Sequence, residues 1–251
     1  MNQETLWLMS HALGVSTTNI LARKTFTPDE QAKIDALLSR REAGEPLQYI
    51  MGYADFYGRD FYVGPGVLIP RHDTETLIEA VKKYFARDEE FSFVDWGTGS
   101  GCIAITILLE FPKSFAYIIE NSYDALKFAR KNLERYNVRE RSRLNFFPDE
   151  LELIISNPPY IPSREISNLD KTVRDYEPHS ALDGGENGMD FYRDILTNAA
   201  KFLKHDGYII LEMGNINQAN ALKNLDGNFE FIDEVYDAGN FPRCLILQRR
   251  R

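Results

Sequence analysis

The chain has 251 residues, 43% hydrophobic and 27% charged, which suits a soluble globular protein of one large domain or a large domain with a small companion. No apolar run reaches the ~18 residues a membrane-spanning helix needs, and MNQETLWLMSHALG is too acidic and amphipathic for a signal peptide. A net charge of −9 argues against a protein that holds nucleic acid chiefly through its phosphates.

The two cysteines, Cys102 and Cys244, show no metal-type spacing. Both lie in apolar surroundings and are expected as buried, reduced thiols, consistent with a cytoplasmic location. No repeat or low-complexity tract interrupts the chain.

Residues 1–52 read as a small helical domain. Leu6, Met9 and Leu13 mark one amphipathic helix. Thr27-Pro28-Asp29-Glu30 opens another, with Thr27 as cap, Pro28 at the first helical position and Glu30 completing a capping box. Ile34, Leu37 and Leu38 follow at helical spacing, and Gly44-Glu45-Pro46 ends the run. From Phe56 to Ile69 the texture becomes aromatic and β-branched, with turn signals at Gly58-Arg59 and Gly64-Pro65-Gly66; residues 53–72 are expected to form a β-hairpin linker.

Residues 73–251 then alternate strands and helices. Strands are predicted at Phe91–Asp95, Phe115–Glu120, Leu151–Ser156 and in GYIILEM. Helices are predicted in CIAITILLEF, SYDALKFARKNLERY and DFYRDILTNAAKFL. Such alternation gives a mostly parallel, doubly wound α/β sheet. The last strands, near Phe229–Val235 and Arg243–Gln248, have only a short link and should form an antiparallel hairpin at the sheet edge.

Asp95-Trp96-Gly97-Thr98-Gly99-Ser100-Gly101 joins a buried strand to a helix, at the carboxyl edge where open α/β sheets bind ligands. A dinucleotide fingerprint starting at Gly97 would need glycine at position 102, where Cys102 stands; a phosphate-binding loop would need a lysine, and the loop has none. What remains is D-x-G-x-G-x-G, the pattern of class I methyltransferases. Glu120, ending the next strand, can accept hydrogen bonds from two ribose hydroxyls; the plainer alternative is a solvated carboxylate at the start of a loop.

Ser156-Asn157-Pro158-Pro159-Tyr160 follows a later strand, about sixty residues after the glycine loop. Two successive prolines cannot continue a ladder and hold the backbone rigid. The Asn157 side chain and the Pro158 carbonyl then form aligned acceptors beside the flat ring of Tyr160, a setting for a planar NH2 on an sp² carbon. An amide nitrogen is a weak nucleophile. Two acceptors that take both N–H bonds orient it and stabilise the positive charge that develops as it is alkylated. A rigid loop with Tyr160 in the core is the plainer reading of the same residues. No metal or covalent nucleophile is required.

Several blocks together carry a stronger likeness. EPLQYIMGYADFYGRDFYVGPGVLIPR, VDWGTGSGCIAI, SNPPYIP, YEPHSALDGGENGMDFYRDIL and DAGNFPRCLIL, in this order, resemble the release-factor-specific protein-(glutamine-N5) methyltransferases over nearly the whole chain. The resemblance implies a class I (Rossmann-like) methyltransferase domain with a seven-stranded sheet. It also implies S-adenosyl-L-methionine as methyl donor, S-adenosyl-L-homocysteine as product, and the glutamine of the Gly-Gly-Gln motif of peptide-chain release factors as acceptor.

The resemblance further implies that the N-terminal helical domain helps to grip the release factor. Asn157, Pro158 and Tyr160 match the family's glutamine-binding motif, with Pro159 beside them. Asp95, Gly97, Thr98, Gly99, Ser100, Gly101 and Glu120 match its cofactor-binding segment, with Asn157 shared between the two. Two features depart from the pattern. Pro70-Arg71-His72-Asp73-Thr74-Glu75 stands where the family has P-R-P-E-T-E, so His72 reads as a surface or capping residue rather than a base. RSRLNFFPDELELII is short for the family, leaving Asp149 as the only nearby candidate for the adenine amino group. A DNA or RNA adenine-N6 methyltransferase is the main alternative, since adenine also offers an NH2 on an sp² carbon and Tyr160 could stack on a flipped base; a non-catalytic binding module is a second.

Overall fold

In a computed structural model, residues 2–148, 150–223, 227–237 and 239–251 are described. The first four helices are α1 (Gln3–Leu13), α2 (Thr17–Ala22), α3 (Pro28–Glu42) and α4 (Leu47–Met51). Asn2 caps α1 by accepting from the Thr5 amide, and Gly14 ends it in a left-handed turn. The predicted capping box of α3 is present in full: Thr27 accepts from the Glu30 amide, and Glu30 accepts from the Thr27 amide. Met9, Ile20 and Ile34 form the buried centre of this bundle.

The hairpin starts earlier than the aromatic run suggests. Strands β1 (Tyr53–Phe56) and β2 (Arg59–Tyr62) pair antiparallel around Tyr57-Gly58, and the chain beyond Tyr62 is irregular. Tyr49 of α4 donates to the Val67 carbonyl at 2.6 Å and packs with Ala54, Val63, Val67, Ile69 and Ala125, so the linker is stapled into a core of its own.

The remaining elements are α5 (Glu75–Tyr84), β3 (Ser92–Trp96), α6 (Cys102–Glu110), β4 (Phe115–Ile119), α7 (Tyr123–Arg135), β5 (Ser142–Leu144), β6 (Leu151–Ser156), α8 (Lys171–Arg174), α9 (Asp190–Phe202), β7 (Leu203–Glu212), α10 (Ile216–Leu222), β8 (Phe229–Tyr236) and β9 (Pro242–Arg249). Seven strands make one sheet in the order β5-β4-β3-β6-β7-β9-β8. The first five in that order run parallel, and β9 pairs antiparallel with both β7 and β8. This is the Rossmann-like methyltransferase architecture, with the expected antiparallel hairpin at the edge. The last strand in the chain is not the outermost one, because β9 inserts between β7 and β8.

Side chains alternate across the sheet as the pleat requires. Phe93, Leu153, Ile155, Ile210 and Ile246 face a core with α5 and α6, while Val94, Ile154, Ile209, Leu211 and Leu245 face one with α9 and α10. Both cysteines are buried and free, as expected. The chain leaves β3 outward to β4 and β5, then returns to β6 on the other side of β3. That reversal opens a crevice at the carboxyl ends of β3 and β6, the usual ligand site of such sheets.

Candidate active site

The crevice holds a cavity of about 530 Å3, within the range of small-molecule sites. Its wall includes Gly97, Thr98, Gly99 and Ser100 after β3, Glu120 after β4, and Asn157, Pro158 and Pro159 after β6. Three loops far apart in sequence therefore meet where the sheet reverses.

The glycine loop is shaped by backbone geometry. Gly97, Gly99 and Gly101 all have positive φ, at 79°, 57° and 82°, a region that side-chain-bearing residues rarely adopt. The amides of Gly97 and Thr98 both donate to the Ile119 carbonyl, at 2.8 and 3.1 Å, which tethers the loop to the end of β4. Asp95 stands beneath it, fully buried. Its carboxylate accepts from the Thr98 hydroxyl at 2.5 Å and the Ala104 amide at 3.2 Å, clamping the loop to the first turn of α6. Burial without a cation pushes the Asp95 carboxyl up to about 7. Asp95 and Gly101 do not line the cavity, so among the predicted cofactor residues they shape the loop from behind.

Glu120 lies on the cavity wall and folds back on the loop. Its two oxygens accept from the Gly99 amide at 2.9 Å and the Ser122 amide at 2.8 Å. Asn145, itself at a positive φ of 49°, accepts from the Glu120 amide at 3.0 Å and braces the turn. Asp149 lies outside the described residues.

Asn157 and Tyr160 are held by residues distant from them in the chain. The Asn157 Nδ2 donates to the Thr74 hydroxyl at 3.1 Å, and Ser156 donates to the Trp96 carbonyl at 2.5 Å, joining the end of β6 to the end of β3. Tyr160 does not line the main cavity. It borders a smaller recess of about 100 Å3 that shares Leu68, Arg71, Asn157, Pro158 and Ala181 with the main cavity. The Tyr160 hydroxyl points to Glu212 at 3.5 Å, and the Tyr160 carbonyl accepts from Gln218 Nε2 at 2.8 Å. Burial raises the Tyr160 phenol above its ordinary range, with the Glu212 charge adding to the effect.

The block after the two prolines wraps this site. Ile161 bridges to Asp183, and Glu177, with its side chain 1% exposed, accepts from the Ile69 amide at 3.0 Å and from the Arg71 guanidinium. Arg243, from the closing block, pairs with Asp73 at 3.0 Å and Asp237 at 2.8 Å. His72 is exposed, in the short 3-10 turn that leads into α5, as its reading as a surface residue anticipates.

The chain's likeness to known proteins matches this arrangement. Residues 2–52 match the family model for the PrmC N-terminal domain, and residues 72–172 match that for the methyltransferase small domain. A release factor glutamine methyltransferase of Geobacter sulfurreducens is 40% identical over 237 residues, covering 92% of this chain and 82% of that protein. One from Koribacter versatilis is 41% identical, covering 89% of this chain and 81% of its own length. The chain belongs to the release factor glutamine methyltransferase family.

Among solved structures, a methyltransferase from Pyrococcus furiosus superposes with a TM-score of 0.59 at 19% identity, covering 86% of this chain and 98% of that one, which supports the fold alone. Membership makes the chain a methyltransferase. Among the described residues no helix is long and apolar enough to cross a membrane.

Proposed function

We propose that this protein transfers the methyl group of S-adenosyl-L-methionine to the side-chain amide nitrogen of the glutamine in the Gly-Gly-Gln motif of a peptide-chain release factor. The observation that carries the reading is the placement of Asn157 and Pro158 on the wall of the same cavity as the glycine loop and Glu120. A methyl acceptor and a methyl donor can therefore occupy one enclosure.

The cavity suits the cofactor on its own terms. The loop presents bare backbone at Gly97, where a Cβ would meet nothing within 4 Å, so a ligand can approach closely. Glu120 supplies a carboxylate for ribose hydroxyls, and Val67, Ile103 and Ile119 give apolar wall. Bound there, the cofactor would supply a sulfonium methyl, an electrophile needing neither metal nor covalent enzyme intermediate.

The chain's part is to bind and orient. Asn157 Oδ1 and the Pro158 carbonyl accept the two N–H bonds of the glutamine amide. The carbonyl geometry is fixed because Pro158 and Pro159 cannot rotate freely. Both acceptors gain strength as charge builds on nitrogen, so they favour the transition state over the ground state. Tyr160 walls the adjoining recess through which the glutamine side chain reaches them. Fixing donor and acceptor in line supplies much of the remaining acceleration.

In this reading residues 1–52 form the domain that grips the release factor, residues 53–72 link it, and residues 73–251 form the catalytic domain. The substrate is a translation factor, which places the reaction in the cytoplasm. The names of the relatives and the net charge of −9 favour a protein over a nucleic-acid substrate. A transfer assay with methyl-labelled cofactor tests it: label is expected on a release factor. Label on duplex DNA and none on the release factor would reject the reading.

A further inference from the structure

Arg71 lies at the end of the linker, in extended backbone between Pro70 and the 3-10 turn that leads into α5. Its side chain borders both the main cavity and the smaller recess. Among the described residues that line the main cavity it is the only cation, whereas Glu120 and Asp194 are acids. Its guanidinium donates to Glu177, whose side chain is 1% exposed and whose other oxygen accepts from the Ile69 amide at 3.0 Å. The Arg71 side chain itself stays 38% exposed.

A guanidinium carries five N–H donors on a planar fork, enough to hold one carboxylate on each of two edges. Arg243 does this in the same chain, with Asp73 at 3.0 Å and Asp237 at 2.8 Å. Arg71 has one such partner among the described residues, Glu177. Burial and the Ile69 amide lock Glu177, so it anchors the guanidinium and cannot follow it outward. The donors left over give the enclosure its positive charge.

The methyl donor carries one group that calls for that charge. Its amino-acid tail ends in a carboxylate, at the opposite end of the molecule from the nucleoside. An anion moved from water into an enclosure loses hydration that a cation must replace. Along the sheet the neighbouring strands run β4, β3, β6. Glu120 follows the first, the glycine loop the second and Asn157 the third, and Arg71 shares the recess with Asn157. Charges of opposite sign therefore flank the glycine loop, as the ribose hydroxyls and the carboxylate of one ligand require.

We propose that Arg71, anchored by Glu177, binds the α-carboxylate of the methyl donor and so fixes how the donor lies along the cavity. This rests on the cofactor half of the functional reading above and adds the residue that holds the far end of that ligand. An arginine that only tied the linker to the block after the two prolines would make the same pair with Glu177. It would not tell a charged ligand tail from a neutral one.

The test is calorimetry on the full-length protein with S-adenosyl-L-homocysteine and with its α-carboxamide, which keeps the shape and removes the charge. Wild type should bind the carboxylate form tighter by about 10-fold or more. Arg71→Met, which keeps an apolar stem, should lose that margin for S-adenosyl-L-homocysteine and bind the carboxamide as wild type does. Adding Glu177→Gln to Arg71→Met leaves no buried carboxylate unpaired, and the double variant should behave alike, with thermal midpoints read beside each titration. Equal affinity of the wild-type protein for the two ligands overturns the proposal without recourse to any variant. So does a preference that both variants retain, or an equal loss of both ligands. A wild-type protein that binds neither ligand would sink the functional reading, and the proposal with it. One that shows the preference but leaves a release factor unmethylated would sink only the choice of methyl acceptor, with Arg71 still assigned.

Discussion

The Gly99 amide donates to Glu120 Oε2 at 2.9 Å, so the carboxylate proposed to hold the ribose also holds the loop that faces it. Its second oxygen is taken by the Ser122 amide at 2.8 Å. Each oxygen keeps a further lone pair, and a diol could join these bonds without breaking them. Glu120→Ala should therefore weaken cofactor affinity by about 1.5–3 kcal/mol per charged hydrogen bond lost, roughly 10- to 100-fold. Calorimetry reads this directly, and an unchanged affinity would remove Glu120 from the cofactor site.

Asn157→Ala removes an acceptor whose value rises in the transition state. Turnover should fall by about 10²–10³-fold, on the scale of losing one preorganised group that stabilises developing charge. Cofactor affinity should stay within a few-fold, because the glycine loop and Glu120 are untouched. Steady-state kinetics with a release factor, beside a cofactor titration, separates the two effects. Turnover like that of wild type would refute the role.

Gly214 gives Tyr160 its seat. A Cβ there would come within 2.7 Å of the Tyr160 ring, so Gly214→Ala must displace the ring. The expected result is a turnover loss of about 10-fold or more with cofactor binding retained. Equal losses in both, or none in either, would show that the ring's position does not matter to transfer.

Two buried acids make stability depend on pH. Burial raises Asp95 from its ordinary 3.8, and Glu212 from 4.5, each to about 7. Asp95 faces the Thr98 hydroxyl, the Ala104 amide and the charge of Glu120; Glu212 faces Thr74, Tyr160, Asp73 and Arg243. A raised carboxyl pKa means the folded state holds its proton more tightly than the unfolded chain does. The resulting stability is complete below the ordinary carboxyl range and is lost as pH rises through about 7. The wild-type thermal midpoint should therefore fall between about pH 5 and pH 8 by more than that of Asp95→Asn. An identical fall in the two proteins would contradict the assignment.

Much of this fold is local in origin and could be read residue by residue. The capping box at Thr27, the hairpin turn at Gly58 and the strand at Leu151–Ser156 depend on near neighbours, and each is where the sequence suggested. The three-residue β5 and the polar α10, Ile216–Leu222, are too short or too weakly patterned to stand out in the sequence. The amphipathic α5 carries a clear helical pattern, burying Leu77, Ile78, Ala80 and Val81, yet is not among the predicted helices.

The candidate site divides along the same line. The glycine loop and Asn-Pro-Pro-Tyr announce themselves as contiguous motifs. Thr74, Asn145, Glu177, Glu212 and Gln218 act across large sequence distances, Thr74 meeting Asn157 from 83 positions away. Thr74, Asn145, Glu177 and Glu212 stand in segments whose pattern is visible in the sequence, but nothing local to them signals a role in the site. Asp95 shows the converse: it belongs to the motif by spacing, yet it lies beneath the loop rather than on the cavity wall.

The most direct measurement is mass spectrometry of a release factor incubated with this protein and S-adenosyl-L-methionine. The account predicts a gain of a single methyl on the peptide containing Gly-Gly-Gln, placed by fragmentation on the glutamine side chain. An unmodified peptide from an enzyme that has bound its cofactor, or a methyl group on any other residue, would contradict it.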